Sequence, residues 1–212
     1  MLDWKYTNTL VPYQESLDYM EENVAKIHGK NAPEQVWLLE HPNIYTAGVS
    51  ANEDDLLDPN QTLIRTGRGG QITYHGPGMR IAYIMLDLKK RNNCDIKKYI
   101  CNLESWLINS LNAVGVKGER RKGRVGIWVV DKNNPDHENK IAAIGVRVRK
   151  WVTYHGIAIN VNPDLTKYDA IVPCGISDQK LGVTSLKKEG IDIALEEFDK
   201  ILKQEFIKIF EG

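Results

Sequence analysis

Apolar residues recur along this chain at two periods, and the periods sort it into helices and strands. From about Tyr13 to Ile27, the residues Leu17, Met20, Val24 and Ile27 share one helical stripe, and Gly29 follows as a terminator. A second helix is predicted from about Asp95 to Val114. There Ile96, Tyr99, Ile100, Leu103, Leu107, Leu111 and Val114 keep the 3.6-residue period up to Gly115. A third is expected to start from Asp192 as N-cap and to bury Leu195, Phe198, Ile201, Leu202, Phe206 and Ile209. Between them lie strand-like runs rich in β-branched and aromatic residues: Val36–Leu39, Ile81–Leu88, Val125–Val130, Ile141–Val148 and Trp151–Val161. The run Ile81–Leu88 is nearly all apolar, as expected of a strand covered on both faces. Helices interleave irregularly with strands, which predicts an α+β fold on a mixed sheet flanked by helices. No repeat or Ser/Pro-rich boundary divides the chain, so residues 1–212 are expected to form a single catalytic-size domain; a smaller C-terminal lobe after about residue 175 is the alternative.

Composition narrows the class. A chain of 212 residues with 42% hydrophobic and 26% charged residues is globular in make-up, which argues against disorder and coiled-coil bias. Twenty-eight basic and 28 acidic residues cancel, so no global charge draws the chain to nucleic acid or to an anionic membrane. The apolar runs are far shorter than the ~20 residues that span a bilayer. MLDWKYTNTLVPY has neither a secretory nor a transit layout, and the expected location is the cytoplasm. Charge is uneven locally: Asn31 to Ile64 carries six acidic residues and no lysine or arginine, whereas Lys117 to Arg124 carries five basic residues and one glutamate. That basic stretch reads either as a solvated loop or as a docking patch for an acidic partner, where charge mainly speeds encounter.

Three segments can carry chemistry. Gly67–Gly78 is the densest glycine cluster, flanked by Arg68 and His75, and glycine lets backbone approach a ligand closely. It matches neither G-x-G-x-x-G nor the P-loop, so phosphate binding of those types has no support, and a Gly-rich hairpin is the plain alternative. The second segment joins Lys140–Val146 to Trp151–Asn160. In an unbroken strand His155 shares a face with Thr153 and Ile157, and is read as a hydrogen-bonded core histidine; Gly156 and Ala158, on the other face, leave room for a ligand. Lys140, taken alone, reads as a surface charge. The third is Pro173-Cys174-Gly175, a turn able to present a thiol. Cys94 and Cys101 are expected on a helix. Seven residues of helix separate them by about 10.5 Å, too far for a disulfide, and sparse cysteines suit a reducing compartment.

Together these segments resemble the octanoyltransferases, the lipoyl(octanoyl) transferase family. The resemblance rests on Glu40–Gly48, Arg68–Gly78, Gly126–Val129, Lys140–Gly145, Trp151–Asn162 and Pro173–Ile176, in family order from about residue 36 to 186. Met79 stands where the family usually has Gln, and the Asp131–Asn139 loop is somewhat long. The resemblance implies the catalytic-domain fold of biotin and lipoate protein ligases. It implies transfer of octanoyl from acyl carrier protein to a lysine ε-amine of lipoyl domains, in 2-oxoacid dehydrogenase complexes and the glycine cleavage H protein, through a cysteine thioester. By motif match the nucleophile is Cys174, and Lys140 is its partner, lowering the thiol pKa and shuttling protons. The substrate-binding residues are then Arg68, Gly69, Gly70, Gln71, Ile72, Thr73, Tyr74 and His75, with Ala143, Ile144 and Gly145, and Gly156, Ile157 and Ala158.

That chemistry is self-consistent. Thiolate is the nucleophile, and thioester exchange costs little free energy. Aminolysis of the thioester is downhill, so neither ATP nor metal is implied as cofactor; the acyl group arrives on the carrier's phosphopantetheine. Backbone N–H groups near Gly175 or Lys140–Ala143 can serve the oxyanion, at roughly 3–4 kcal/mol per well-placed donor. On this reading Lys117, Arg120, Arg121, Lys122 and Arg124 are candidates for docking the acidic carrier, and a monomer suffices. The competing readings are an ATP-dependent lipoate or biotin ligase, a Cys–His hydrolase using Cys174 with His75 or His155, and a non-catalytic docking module.

Overall fold

Burial at every position of Met79–Met85 requires a sheet with cover on both faces, and that is the observed architecture. The structure, a computed structural model, describes residues 2–172 and 180–212. Its elements in chain order are β1 (Leu2–Leu10), α1 (Tyr13–His28), β2 (Glu34–Glu40), β3 (Ile44–Ala47), β4 (Leu63–Arg65), β5 (Ile72–His75), β6 (Met79–Met85), α2 (Ile96–Ala113), β7 (Glu119–Arg121), β8 (Arg124–Val130), β9 (Glu138–Arg149), β10 (Val152–Asn160), β11 (Leu181–Val183) and α3 (Leu195–Phe210).

Among the described residues, eight strands form one mixed sheet in the order β1-β2-β6-β10-β9-β8-β7, with β11 on β9. The β1–β2 and β11–β9 pairs are parallel and the others antiparallel. A second sheet, β4-β3-β5, joins the Gly-rich segment to the rest. The α+β reading with a mixed sheet therefore holds.

Strand alternation sends Val36 and Leu38 to one face, where α2 and α3 supply Leu103, Trp106, Phe198 and Phe206. Trp37 and Leu39 point to the other face, against α1 and the small sheet through Met20, Val24, Ile72 and Tyr74. Each helix buries most of the stripe its periodicity foretold, although Ile96, in the first turn of α2, is exposed.

Several local expectations shift. Cys94 lies before α2, not in it: Asp95 caps the helix by accepting from the Lys98 N–H, and both Cys94 and Cys101 are exposed. The third helix starts at Leu195, with Ala194 at the cap position; Asp192 instead pairs with Lys187 at 2.7 Å. Trp151 leaves the strand to form a two-residue turn with Lys150, both at positive φ (51° and 65°), between the paired residues Arg149 and Val152.

Candidate active site

The small residues of β9 and β10 make the floor of a cavity between the large sheet and the Gly-rich loop. Ala143 pairs with Ala158 and Gly145 with Gly156, so two alanines and two glycines lie side by side across the two strands. Ile144, Ile157 and Ile81 add apolar wall, and Arg68, Gly70, Gln71, Thr73 and His75 form the roof. At Gly145 a Cβ would stand 3.0 Å from the Gly69 carbonyl and 3.1 Å from Arg68 Cδ, so the roof depends on the bare backbone there.

Arg68 is 7% exposed and works first on its own loop. Its Nη2 donates to the carbonyl and hydroxyl of Thr46 (both 2.8 Å) and to the Gln71 carbonyl (3.0 Å), while Nη1 donates to the Gly69 carbonyl (3.0 Å). One guanidinium thus ties four acceptors, adding to the backbone bonds that Val49, Ser50 and Gly69 make along the same segment.

Lys140 is not a surface charge. It is 7% exposed on β9, opens into the same cavity, and its Nζ lies 5.4 Å from the Trp128 ring centroid. Gly126, at φ +115°, makes room for it: a Cβ there would be 2.5 Å from Lys140 Cε. Val183 of β11 is the register partner of Lys140, and the Lys140 carbonyl accepts from the Thr184 N–H at 3.0 Å.

Most substrate-binding residues named from the sequence converge on this cavity; Gly69, Ile72 and Tyr74 do not line it. Alternation along β5 explains two of these: Thr73 and His75 face the cavity, whereas Ile72 and Tyr74 point into the core, where the Tyr74 hydroxyl donates to Asn43 Oδ1. Gly69 is held at the rim by its N–H bond to the Val146 carbonyl (2.9 Å). Cys174 lies in 173–179, outside the described residues. Its described neighbours are tied down: Val172 donates to the Asp55 carbonyl (2.7 Å), and the Lys180 carbonyl accepts from Glu138 (3.0 Å).

Sequence reasoning missed four lining residues, Tyr13, Ile81, Tyr83 and His155. His155 also corrects an expectation. At φ +56° in mid-strand its ring leaves the Thr153–Ile157 face and turns to the cavity side, stacking on Tyr154 at 5.0 Å. It is buried, yet neither ring nitrogen has a hydrogen-bond partner among the described residues. His75 Nδ1 is likewise unpartnered there. His41 behind them is satisfied: its Nδ1–H donates to the Val11 carbonyl, which fixes the tautomer, and Nε2 accepts from the Tyr83 hydroxyl, both at 2.6 Å.

Burial keeps these three imidazoles neutral. His41 is lowered to about 4, and His155 to about 3, by burial and then by Arg68 and Arg147; His75 falls well below the usual range for burial, His41 and Arg68. The sign follows: unfolding lets each take up a proton, so stability is lost as pH falls from 6.5 toward 4, by up to about 1.4 kcal/mol per pH unit per proton. Asp199, raised to about 6 by burial, opposes this with one proton between pH 4 and 6. The net expectation is a melting temperature that drops between pH 6.5 and 5 in a thermal series; a flat profile would contradict the neutral cluster.

The basic stretch is largely neutralised within the chain. Lys117 pairs with Glu119, Arg120 with Glu104, Arg121 with Glu119 and Glu138, and Arg124 with Glu138. Lys122 is exposed.

Comparison with known proteins fits this geometry. A bipartite lipoate protein ligase from Thermoplasma acidophilum superposes with a TM-score of 0.70 at 15% identity, over 100% of this chain and 85% of that one. Biotin protein ligase from Aquifex aeolicus gives 0.56 at 12% identity, over 99% and 69%. The fold is that of the lipoate- and biotin-protein ligase catalytic domains. Residues 12–207 match the family model of the lipoyl protein ligase A/B catalytic domain. Octanoyltransferases from Nitrobacter winogradskyi (54% identity, 99% of this chain and 90% of the relative) and Wolbachia pipientis wMel (53%, 99% and 100%) align almost end to end. The chain belongs to the octanoyltransferases of the lipoyl protein ligase A/B catalytic-domain family. It is an acyltransferase.

Proposed function

We propose that this enzyme takes an octanoyl group from octanoyl-acyl carrier protein, holds it as a thioester on Cys174, and delivers it to a lysine ε-amine of a lipoyl domain, within the cytoplasm and without ATP or metal. The acceptors are the lipoyl domains of 2-oxoacid dehydrogenase complexes and the glycine cleavage H protein, and a single copy of the chain suffices. The observation that carries this reading is the shared cavity: a buried lysine opens onto a floor of small residues, Ala143, Gly145, Gly156 and Ala158, with apolar wall beside it. No group of three or more metal-ligating side chains occurs among the described residues.

In the first half-reaction the Cys174 thiolate attacks the carrier thioester. The carrier's pantetheine sulfur leaves and takes a proton from the Lys140 ammonium. In the second, the acceptor amine attacks the acyl-cysteine and gives its proton to the now neutral Lys140, and Cys174 departs as thiolate. Protons and charge balance over the cycle. Carrier docking on Lys117–Arg124 has limited support, since Glu104, Glu119 and Glu138 already engage four of the five cations.

The test is transfer itself. Enzyme, octanoyl-carrier protein and apo lipoyl domain, mixed without ATP, should yield octanoylated lipoyl domain by mass. A strict requirement for ATP and free octanoate would instead make it a ligase.

A further inference from the structure

The cavity has two chemically different ends. Lys140 and Thr73 lie at one; the floor of Ala143, Gly145, Gly156 and Ala158 follows; His155 and His75 stand beyond it. Along β9, His155 is in register with Val146, one step past the Gly145–Gly156 pair and six positions from Lys140, about 20 Å of strand. An extended eight-carbon chain spans about 9 Å over its seven C–C bonds. The strand length exceeds that span, so the length of the acyl chain decides whether its methyl end stops on the apolar floor or meets the imidazoles.

These imidazoles are a poor surface for more methylenes. A neutral imidazole carries one donor and one acceptor, and at His155 neither has a partner among the described residues. Water can serve them in an otherwise empty cavity end, but a chain pressed against the ring removes that water and supplies nothing. The ring is also placed there at a cost: φ +56° is unfavourable for a non-glycine residue, and without it alternation would direct the side chain to the opposite face. Stacking on Tyr154 (5.0 Å) and edge contact with Tyr83 (6.1 Å) hold it.

We propose that His155, supported by His75, sets the acyl-chain length this enzyme accepts, closing the cavity with a polar wall that admits eight carbons and rejects longer chains. This rests on the proposed acyl transfer. The test is a competition in which equimolar octanoyl- and decanoyl-carrier protein are offered with apo lipoyl domain, and the two products are counted by intact mass. His155→Leu should raise the decanoyl-to-octanoyl ratio by about tenfold or more, the scale of discrimination one or two methylenes provide. His155→Gly, which takes positive φ freely, should raise it too if the leucine variant does not fold. His155→Asn tolerates the same backbone and stays polar, so its ratio should remain close to that of the wild type. An unchanged ratio in a His155→Leu or His155→Gly protein that still transfers octanoyl overturns the proposal. Wild-type protein that transfers neither chain overturns the acyl-transfer reading beneath it.

Discussion

Lys140→Ala is expected to fold and to lose acyl transfer by about 10²–10⁴-fold, the range a positioned proton-transfer group supplies. The reasoning starts from burial. An ammonium stem 7% exposed on a sheet, with Gly126 leaving space for it and Trp128 under its Nζ, has a location that serves the cavity better than it serves stability. Both half-reactions need a proton moved at the sulfur or at the incoming amine, and Lys140 is the buried amine lining the cavity. Its removal leaves the small-residue floor of β9 and β10 in place, so kcat should fall far more than KM rises. Steady-state kinetics with octanoyl-carrier protein, beside a circular-dichroism melt, checks both halves. Wild-type kcat in Lys140→Ala would remove lysine from the mechanism.

Asp199→Ala is expected to show the largest loss of stability. Arg80 of β6 meets Asp199 of α3 at 2.9 Å, with side chains 3% and 7% exposed. Removing one partner strands a buried charge, which costs about 3–5 kcal/mol and lowers the melting temperature on the order of 10 °C for a chain of this size. Arg80→Met with Asp199→Leu removes both charges and should recover most of that loss, because apolar replacement of a buried pair is often neutral. A thermal melt of the single and double variants decides it. A single variant as stable as wild type would mean the pair contributes nothing to holding α3 on the sheet.

The parts of the fold legible in the sequence are those where one period dominates. The stripes of α1 and α2 and the two-sided burial of β6 follow from residue spacing alone. By contrast β1 is an edge strand with mostly exposed or half-buried positions, and its Thr7-Asn8-Thr9 run gives no alternation to read. Strands β3, β4 and β5 are only three or four residues long and lie within Gly- and Asp-rich sequence, where turn chemistry masks them. Arg80 is a lone charge in an apolar run, and its partner lies 119 residues later, a pairing that local pattern cannot supply.

The site divides the same way. Spacing along β10 singled out Gly156 and Ala158, which line the cavity, and motif resemblance drew Lys140 in from an apparent surface position. Alternation then misplaced His155, because a positive φ cannot be read from a histidine between tyrosine and glycine. The resemblance, for its part, grouped Ile72 and Tyr74 with Thr73 and His75, although alternation along the short strand sends the two pairs to opposite sides.

The proposed transfer depends on an acyl-enzyme at one cysteine, formed without ATP. Intact mass of the protein after brief exposure to octanoyl-carrier protein alone tests it most directly. The expected result is a gain of one octanoyl group, mapped by peptide analysis to Cys174, absent in Cys174→Ala and discharged when apo lipoyl domain is added. No adduct on a wild-type protein that does transfer octanoyl, or an adduct of equal yield on Cys174→Ala, would contradict it.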